Sequence, residues 1–505
     1  REIMREFGTM EDFDRLLKEI HKRGMRLVLD LVVNHTSDEH PWFEEARKSR
    51  HNPYYNYYHW WPAEKGEPPL RLSYFDEEGN AWMYNKSTDS YYLHYFSRKQ
   101  PDLNWENPEV RQEIFDMMRF WFDKGIDGFR MDSISLIAKD PSFPLIDSKK
   151  YPDIFSFYAK EPRLHLYLHE MNRQVLSKYD CMSVGEGSAV MVDDVAKFVD
   201  PAREELNMLY HFDAARIRNT TLPDNPESGI DYSLIALKKM FTEWDKAVDK
   251  GWPSIYLGNH DQPRMVSRFG SDKDEFRALS AKMLITFLLT MRGTPYWFAG
   301  DEIGMRNIRF DRIEDYNDID TINRYKKAKA EGKDPQAVLD EQKETGRDNA
   351  RTPFQWDRSP EAGFTAGTPW LKVNPDYTWI NVADEEKDPT SILNYFKKVV
   401  SFRKENPSLI YGSYHLLDAE NPQCYIFLRK TGADTYLIML NFSPKAAIST
   451  PGIDMSNAHV LLDNYGDRSH MAPQKDITLR PFEAIVFQLN HPVYESFIDS
   501  LDLLE

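Results

Sequence analysis

Residues 124–139, KGIDGFRMDSISLIAK, contain a short apolar strand that ends in polar residues. The strand follows Gly125 and carries Arg130 and Asp132 two positions apart. Because residues i and i+2 of a strand lie on the same face, the guanidinium and the carboxylate should project together. An arginine beside an aspartate keeps the carboxylate ionised, as an enzymatic nucleophile requires. A structural ion pair has the same pattern, so the interpretation depends on partners elsewhere in the chain.

This strand belongs to a unit of helix, glycine and strand that recurs along the chain. Predicted helices alternate with short apolar strands at about 10–22, from 108, at 166–178, at 233–248 and at 276–290. Continuous apolar strands between helices are typical of parallel sheets, and they predict a (β/α) barrel with its active site at the carboxyl ends of the strands. A doubly wound sheet has similar alternation, but the sequence lacks the glycine-rich phosphate loop that would favour it.

Two segments break this alternation. Residues 36–100 are polar and rich in Tyr and Trp, without helical periodicity, which predicts a small subdomain inserted after a strand. After residue 405, short apolar runs separated by Gly, Pro, Asn and Asp predict an antiparallel β domain. The predicted organisation is a catalytic barrel at 1–35 and 101–405, an inserted subdomain at 36–100 and a C-terminal β domain at 406–505.

Composition narrows the classes of partner. The formal charge is −17 and the basic residues are scattered, which argues against nucleic acid and against an anionic membrane surface. The longest apolar run, 283–291, is too short to cross a bilayer. Cys181 and Cys424 lie in apolar stretches and are expected to be buried free thiols, which favours the cytoplasm and leaves a periplasmic or secreted location open. A neutral polar ligand remains compatible with this composition, and the oligomeric state is not indicated.

Three carboxylates follow predicted strands, and the barrel would bring them to one rim. Each alone has a structural explanation, but a barrel would also place basic side chains beside them. Cleavage of an acetal uses this set, because one carboxylate attacks the anomeric carbon, one acid protonates the leaving oxygen and a third group stabilises the oxocarbenium charge. The residues concerned are Asp132, Glu186 and Asp261, with Arg130, His35 and His260.

The motifs around these residues resemble those of glycoside hydrolase family 13, the α-amylase family. They are most similar to its oligo-1,6-glucosidase and α-glucosidase branch. The four family signatures resemble, in order, DLVVNHTSDEHPWF from Asp30, GFRMD, VGE and NHDQPR. QPDLNW from Gln100 is similar to the short motif that separates this branch from neopullulanase-like relatives, and GRDNARTPFQWD also matches the branch.

The resemblance implies a (β/α)8 TIM barrel and a retaining double displacement. Asp132 would be the nucleophile, Glu186 the acid/base and Asp261 the transition-state stabiliser. The implied substrate contacts are His35, Gln100, Arg130, His260 and Arg347, with Arg351 as an alternative to Arg347. No cofactor is expected, and no metal site is expected in this chain.

The chain departs from the family pattern at its start. It begins at the helix before the third barrel strand, so the first two strands are absent from it. Six strands cannot close an eight-stranded barrel, and we expect the missing segment to exist in the native protein. In relatives that segment carries an Asp and a Tyr of the innermost subsite and a loop that holds calcium.

A second departure concerns specificity. Within the branch, Val after the nucleophile is associated with α-1,6 cleavage and Ala or Thr with α-1,4 cleavage. Ser133 therefore favours α-1,4 or broad specificity, although such a change is worth only ~1–3 kcal/mol of discrimination. Residues 70–78, LRLSYFDEE, also differ from the small-residue loop usual there, so the acceptor-side contacts are not predicted.

The leading hypothesis is an exo-acting α-glucosidase that cleaves α-1,4 or α-1,6 bonds at the non-reducing end. One alternative is a sucrose isomerase or transglucosylase of the same family, whose relatives carry an RLDRD-like stretch. Residues 309–313, RFDRI, resemble it superficially but follow the NHDQ motif. Another alternative is a non-catalytic glycosidase-like scaffold. Relatives of that kind have lost active-site carboxylates, whereas all three are present here. Trehalose 6-phosphate remains a possible substrate, although no dedicated phosphate cradle is visible.

Overall fold

The computed structural model describes residues 1–75, 79–147, 149–151, 154–432, 434–468 and 475–489. The chain forms two compact units. The first comprises Arg1–Phe212 with Ala247–Trp252, and the second comprises Asp213–Lys246 and the residues from Pro253 onward.

The first unit contains parallel strands, their connecting helices and a small antiparallel sheet. Its elements are α1 (Met10–Lys22), β1 (Val28–Val32), α2 (Pro41–Ala46), β2 (Trp60–Pro62), β3 (Trp82–Asn85), β4 (Ser90–Leu93), α3 (Pro108–Lys124), β5 (Gly128–Asp132), α4 (Phe155–Tyr158), α5 (Arg163–Gln174), β6 (Met182–Glu186), α6 (Ala196–Val199) and β7 (Met208–Tyr210).

Local chemistry determines where the helices of this unit begin and end. At α1 the Thr9 side chain accepts from the Asp12 N–H at 3.2 Å, and the Asp12 carboxylate accepts from the Thr9 N–H at 2.9 Å. This reciprocal capping box satisfies two N–H groups that the helix leaves unpaired. The last turn of α3 is followed by Gly125, whose φ of 106° lies in the left-handed region that favours glycine. The start of α1 and the end of α3 are therefore set by residues next to the helix in the sequence.

The four-stranded parallel sheet has the order β1-β5-β6-β7. Its register places Asp30 opposite Arg130 and Glu186 opposite Tyr210. Close contact between β5 and β6 requires Gly128, because a Cβ at that position would lie 2.2 Å from the Met182 carbonyl oxygen. Since the strands are parallel, their carboxyl ends meet at one edge, where polar side chains collect.

The antiparallel sheet of the first unit has the order β2-β4-β3 and lies within residues 60–93. Its aromatic side chains pack with residues that follow β5, in a buried cluster that contains Ala81, Trp82, Leu93, Tyr95, Leu136, Phe143 and Tyr158. Residues 59–95 therefore pack against the segment that follows the Asp132 strand in the chain.

The second unit begins with helices and a short parallel strand pair and continues into β structure. Its elements are α7 (Asp213–Thr220), α8 (Leu234–Ala247), β8 (Ser254–Ile255), α9 (Met265–Phe269), α10 (Arg277–Thr290), β9 (Thr294–Pro295), α11 (Ile319–Ala330), α12 (Pro335–Thr345), α13 (Val382–Glu385), α14 (Ile392–Glu405), α15 (Ser408–Tyr411), β10 (Ser413–Leu417), β11 (Cys424–Thr431), β12 (Asp434–Asn441), β13 (Ala447–Ser449), β14 (His459–Asp463), β15 (Ile477–Leu479) and β16 (Ala484–Leu489).

Within this unit β8 and β9 pair in parallel, and an antiparallel sheet has the order β10-β11-β12-β16-β14. The inner faces of the antiparallel strands form a buried apolar core that includes Ile426, Leu437 and Ile485. This sheet confirms the predicted antiparallel structure near the C-terminus, while residues 433, 469–474 and 490–505 of the predicted β domain lie outside the described residues.

Two further predictions concern cysteines and membrane helices. Both cysteines are free, but Cys181 is half-buried rather than buried as predicted, because it lies just before β6 and not within it. In the described ranges, no helix combines the length and the apolar character needed to cross a membrane.

Candidate active site

Arg130 is the centre of a hydrogen-bonded cluster in the first unit. Its Nη1 donates to Asp30 Oδ1 at 2.8 Å and to Asp132 Oδ1 at 2.7 Å, and its Nε donates to the Tyr210 hydroxyl at 3.0 Å. Its Nη2 donates to the carboxylate of Glu186. The structure thus brings three predicted site residues, Arg130, Asp132 and Glu186, around one guanidinium.

Glu186 ends β6 and is buried. Its Oε1 accepts from the Ser188 hydroxyl at 2.7 Å, and its Oε2 accepts from the Tyr210 hydroxyl at 2.9 Å. Burial and the charge of Asp132 raise the pKa of Glu186 to about 7, against the opposing effects of Arg130 and the two hydroxyls. Glu186 can therefore hold a proton near neutral pH and release it, as a general acid must.

Tyr210 is a site residue that the sequence did not reveal. Burial and the charge of Glu186 raise its pKa well above the ordinary tyrosine value, so the hydroxyl stays protonated and acts as a donor. Tyr210 ends β7 directly opposite Glu186. Only the pairing of β6 with β7 identifies it, because no local motif surrounds it.

The chain turns sharply after Asp132. Ser133 has φ 43° and ψ 33°, in the left-handed region, and a 3-10 helix, Ile134–Leu136, follows at once. Non-glycine residues in this region are strained and are often found at functional sites. Ser133 is 2% exposed. The turn ends the strand at the predicted nucleophile and leaves its carboxylate at the edge of the sheet.

His35 lies in a second polar network of the first unit. Its Nε2 is 3.1 Å from Gln100 Nε2 and its Nδ1 is 3.3 Å from Asn34 Nδ2. Lys139 Nζ donates to Asn34 Oδ1 at 2.6 Å and lies 3.0 Å from Asp102 Oδ2, with both side chains of this ion pair fully buried. Two predicted substrate contacts, His35 and Gln100, are thus adjacent. The ion pair of Lys139 and Asp102 belongs to the same network through Asn34.

This environment keeps His35 uncharged. Burial lowers the pKa of His35 despite the nearby charge of Asp102. Amide nitrogens, which are donors, face both ring nitrogens, and an imidazolium would have no acceptor to offer them. The neutral imidazole can therefore accept a hydrogen bond from one of these amides.

Asp261 lies in the second unit, in the loop after β8. Its N–H donates to Asn259 Oδ1 at 2.9 Å, which is a local turn typical of asparagine. Its Oδ1 accepts from Arg351 Nη2 at 2.8 Å and from Arg347 Nη1 at 3.3 Å, and His260 Nε2 is 3.3 Å from its Oδ2. Both alternatives left open by the sequence, Arg347 and Arg351, contact the same carboxylate.

Asp318, at the N-terminus of α11, is the second carboxylate of this cluster. It accepts from Arg347, and its Oδ1 lies 3.8 Å from Arg351 Nη1. Burial raises the pKa of Asp318, but the charge of Arg347 and the hydrogen bonds from Arg347 and Thr321 together outweigh burial, and the pKa lies below its usual value. Two arginines and two carboxylates thus form a charge-balanced group.

Two sequence features remain. The unusual segment 70–78 is described only to residue 75, and 76–78 lie outside the described residues. Within the part of the chain that the structure describes, no group of three or more His, Cys, Asp or Glu side chains is arranged to hold a metal ion.

Comparisons with known proteins agree with this architecture. A family model described as "Alpha amylase, catalytic domain" matches residues 1–412. The chain is 49% identical over 503 residues to an oligo-1,6-glucosidase of Parageobacillus thermoglucosidasius, covering 97% of this chain and 88% of that one. It is 40% identical to a trehalose-6-phosphate hydrolase of Bacillus subtilis, with 97% and 87% covered.

Solved structures give the same result. The trehalulose synthase MutB from Pseudomonas mesoacidophila has a TM-score of 0.90 and 40% identity, with 96% of this chain and 87% of that chain covered. A mutant of MutB in complex with the substrate sucrose also has a TM-score of 0.90. These comparisons confirm the predicted fold, a TIM barrel with a C-terminal β domain. The chain belongs to the α-amylase family of glycoside hydrolases.

Proposed function

We propose that this enzyme is a retaining, exo-acting α-glucosidase that removes glucose from the non-reducing end of short oligosaccharides. The observation that carries the proposal is the contact of Arg130 with both Asp132 and Glu186. One guanidinium bound to both carboxylates holds them at a short separation, as in retaining glycosidases, where the two groups are about 5 Å apart. The oligo-1,6-glucosidase and α-glucosidase relatives support the substrate class.

In the first step, the Asp132 carboxylate attacks the anomeric carbon, and Glu186 gives its proton to the leaving oxygen. The product is a covalent glucosyl-enzyme, which needs a base to activate water. The charge of Asp132 is one cause of the raised pKa of Glu186. Once Asp132 is esterified, this charge is gone and the pKa of Glu186 falls, so the same group can act as the base of the second step.

Asp261 is proposed as the stabiliser of the transition state. Contacts with Arg347 and Arg351 hold its carboxylate in place, and a fixed negative charge favours a developing oxocarbenium ion. His35, Gln100, Arg130, His260 and Arg347 are proposed to bind the glucose unit, with Arg351 added from its contact with Asp261.

Side chains supply the acid, the base and the nucleophile, so the proposed chemistry uses no metal or cofactor. Residues 36–100 are proposed to form the inserted subdomain, which the antiparallel sheet β2-β4-β3 supports. Ser133 supports α-1,4 or broad linkage specificity, and a cytoplasmic location remains a proposal from composition.

Sucrose isomerisation is the second candidate, because the similar solved structures include a trehalulose synthase. Against it, Arg309 of the RFDRI stretch is occupied by ion pairs with Asp272 and Glu344, each at 2.7 Å. An arginine held in this way serves the packing of its loop. Hydrolysis is therefore the preferred reaction.

Product analysis by NMR tests the proposal. The full-length protein is incubated with maltose, isomaltose, trehalose, trehalose 6-phosphate and sucrose, and the anomer of the first product is recorded. We expect α-glucose from maltose or isomaltose. Initial release of β-glucose would contradict the retaining mechanism, and isomaltulose or trehalulose from sucrose would favour the isomerase. Activity on trehalose 6-phosphate alone would assign the chain to that substrate.

A further inference from the structure

Arg264 is a buried residue of the Asp261 loop that the proposed mechanism does not use. It lies immediately before α9 and is 2% exposed. Its Nη1 donates to the Ala299 carbonyl oxygen at 2.7 Å, and its Nη2 donates to the Ala350 carbonyl oxygen at 3.0 Å. One guanidinium thus joins three segments of the second unit, which are the loop after β8, the loop after β9 and the segment that contains Arg351.

The Asp261 loop and the Arg351 segment each supply an arginine to the other. Arg351 donates from Nε to the His260 carbonyl oxygen at 2.7 Å and from Nη2 to Asp261 Oδ1 at 2.8 Å. In the opposite direction, Arg264 donates to Ala350, the residue directly before Arg351. The two segments are therefore held together at two points, and the second point fixes the backbone from which Arg351 projects.

The surroundings of Arg264 hold its guanidinium in one place. A Cβ on Gly300 would lie 2.8 Å from Arg264 Nη1, so the absence of a side chain there makes room for the arginine. The centroid of the Phe298 ring is 5.0 Å from Arg264 Cζ, and Oδ1 of the buried Asp301 is 3.5 Å from Nη1. Burying a cation is costly unless it is paired and hydrogen-bonded, and these neighbours, together with the two carbonyl oxygens, meet that requirement.

Arg403 on α14 is a second buried arginine of the same unit, and it provides a comparison. It is 6% exposed, and it donates to the carbonyl oxygens of Leu289, Met291, Gly293 and Leu409. None of these four residues is next in sequence to a residue of the candidate active site. Arg403 therefore binds backbone oxygens as Arg264 does, but without the link to Asp261.

We propose that Arg264 is a positioning residue, which holds the backbone at Arg351 in register with the Asp261 loop. The inference rests on the proposed role of Asp261 as the stabiliser of the transition state. A group that stabilises a developing charge is effective only if it is in place before the charge forms. Arg264 contributes to this preorganisation through the Ala350 carbonyl and Arg351, and through its own place in the Asp261 loop.

Steady-state kinetics of full-length Arg264→Met and Arg403→Met, with maltose or isomaltose, tests the proposal. We expect Arg264→Met to lower kcat about tenfold with little change in KM, since a small misplacement caused by a change far from the chemistry can cost up to ~10²-fold. Arg403→Met is the matched control, and it should lower the melting temperature but leave kcat unchanged. Equal losses of kcat in the two variants, or an unchanged kcat in Arg264→Met, would overturn the proposal.

A double-mutant cycle with Arg351→Met separates positioning from a general loss of stability. If Arg264 acts through Arg351, the double variant should be about as slow as Arg351→Met alone, because the contact that Arg264 supports is already lost. Losses that multiply would contradict the proposal. If circular dichroism shows that Arg264→Met does not fold, Arg264→Lys takes its place in the kinetics and in the cycle, since it keeps the buried charge but lacks the planar fork.

Hydrogen exchange followed by mass spectrometry tests the same inference without catalysis. Arg264→Met should speed the exchange of the backbone amides of residues 259–262, because the loop loses one of its two attachments, and Arg403→Met should not. Equal exchange at 259–262 in both variants and the unmodified protein would overturn the proposal. Inactivity of the unmodified full-length protein on every sugar would instead contradict the proposed function, and the exchange measurement would still decide whether Arg264 fixes the loop.

Discussion

The two carboxylate clusters of this enzyme differ in their ratio of charges. In the first unit, Arg130 alone contacts Asp30, Asp132 and Glu186. In the second unit, Arg347 and Arg351 share Asp261 and Asp318. One cation cannot neutralise three carboxylates, and the most buried of them, Glu186, has a pKa of about 7. In the second cluster two guanidiniums contact two carboxylates, and the pKa of Asp318 is lowered.

This contrast separates two functions that one chain must combine. A general acid needs a carboxyl group that keeps its proton near neutral pH, whereas an electrostatic stabiliser needs one that is always ionised. Burial of Glu186 and the nearby charge of Asp132 provide the first, and the two guanidiniums that hold the Asp261 carboxylate in place support the second.

The largest expected effect comes from removing the negative charge of Asp132. Asp132→Asn leaves the shape of the site intact but removes the nucleophile, so kcat for maltose or isomaltose should fall about 10⁴-fold. Steady-state kinetics measures the loss, and circular dichroism checks the fold. Near-normal activity in a folded variant would contradict the assigned nucleophile.

The balanced cluster should tolerate change better, because two arginines share Asp261. Arg351→Met should lower kcat/KM by about 10²-fold, the loss typical of one electrostatic contact to a reacting site. Arg347→Met should cost at least as much, since Arg347 also binds Asp318. Side-by-side kinetics of the two variants is the measurement. If either variant were fully active, the contact of that arginine with Asp261 would not contribute to catalysis.

Tyr210→Phe tests the first cluster, in which one arginine contacts three carboxylates. The hydroxyl donates to ionised Glu186, so its loss disfavours the charged form and should raise the pKa of Glu186 by about one unit. Activity requires protonated Glu186 and is lost as pH rises through that pKa, so the alkaline limb of the kcat/KM profile should move upward. A profile recorded against the parent enzyme checks this. A limb that stays in place or moves downward would show that Glu186 does not control it.

The smallest effect is expected from a substitution of Ser133, because it lies next to Asp132 and its replacement changes no charge. Ser133→Val should increase the preference for isomaltose over maltose by roughly fivefold, within the ~1–3 kcal/mol available to a small pocket change. The pH profile should not move. Because Ser133 has a positive φ, a β-branched residue adds strain, and Ser133→Ala is the control for the lost hydroxyl. An unchanged ratio of kcat/KM values for the two sugars would show that Ser133 does not determine the linkage specificity.

Much of the architecture followed from local patterns. The helices at 10–22 and 276–290 were predicted near the observed bounds of α1 and α10, and antiparallel structure was predicted after residue 405, because caps, periodicity and turn residues act over a few positions. The half-buried state of Cys181 was not predicted, since exposure at a strand entry depends on neighbours distant in sequence.

The sequence by itself determined the chemistry that the site could use. It placed Arg130 and Asp132 on one face of a strand, and it placed Glu186 and Asp261 after other strands, since these are consequences of strand periodicity and of motif spacing.

Only the tertiary structure decided how these groups behave. The contact of Tyr210 with Glu186, the buried pair of Lys139 and Asp102, and the sharing of Asp261 by two arginines join residues that are far apart in the chain. A pKa depends on burial and on the charges a few Å away, and both are set by which elements pack together.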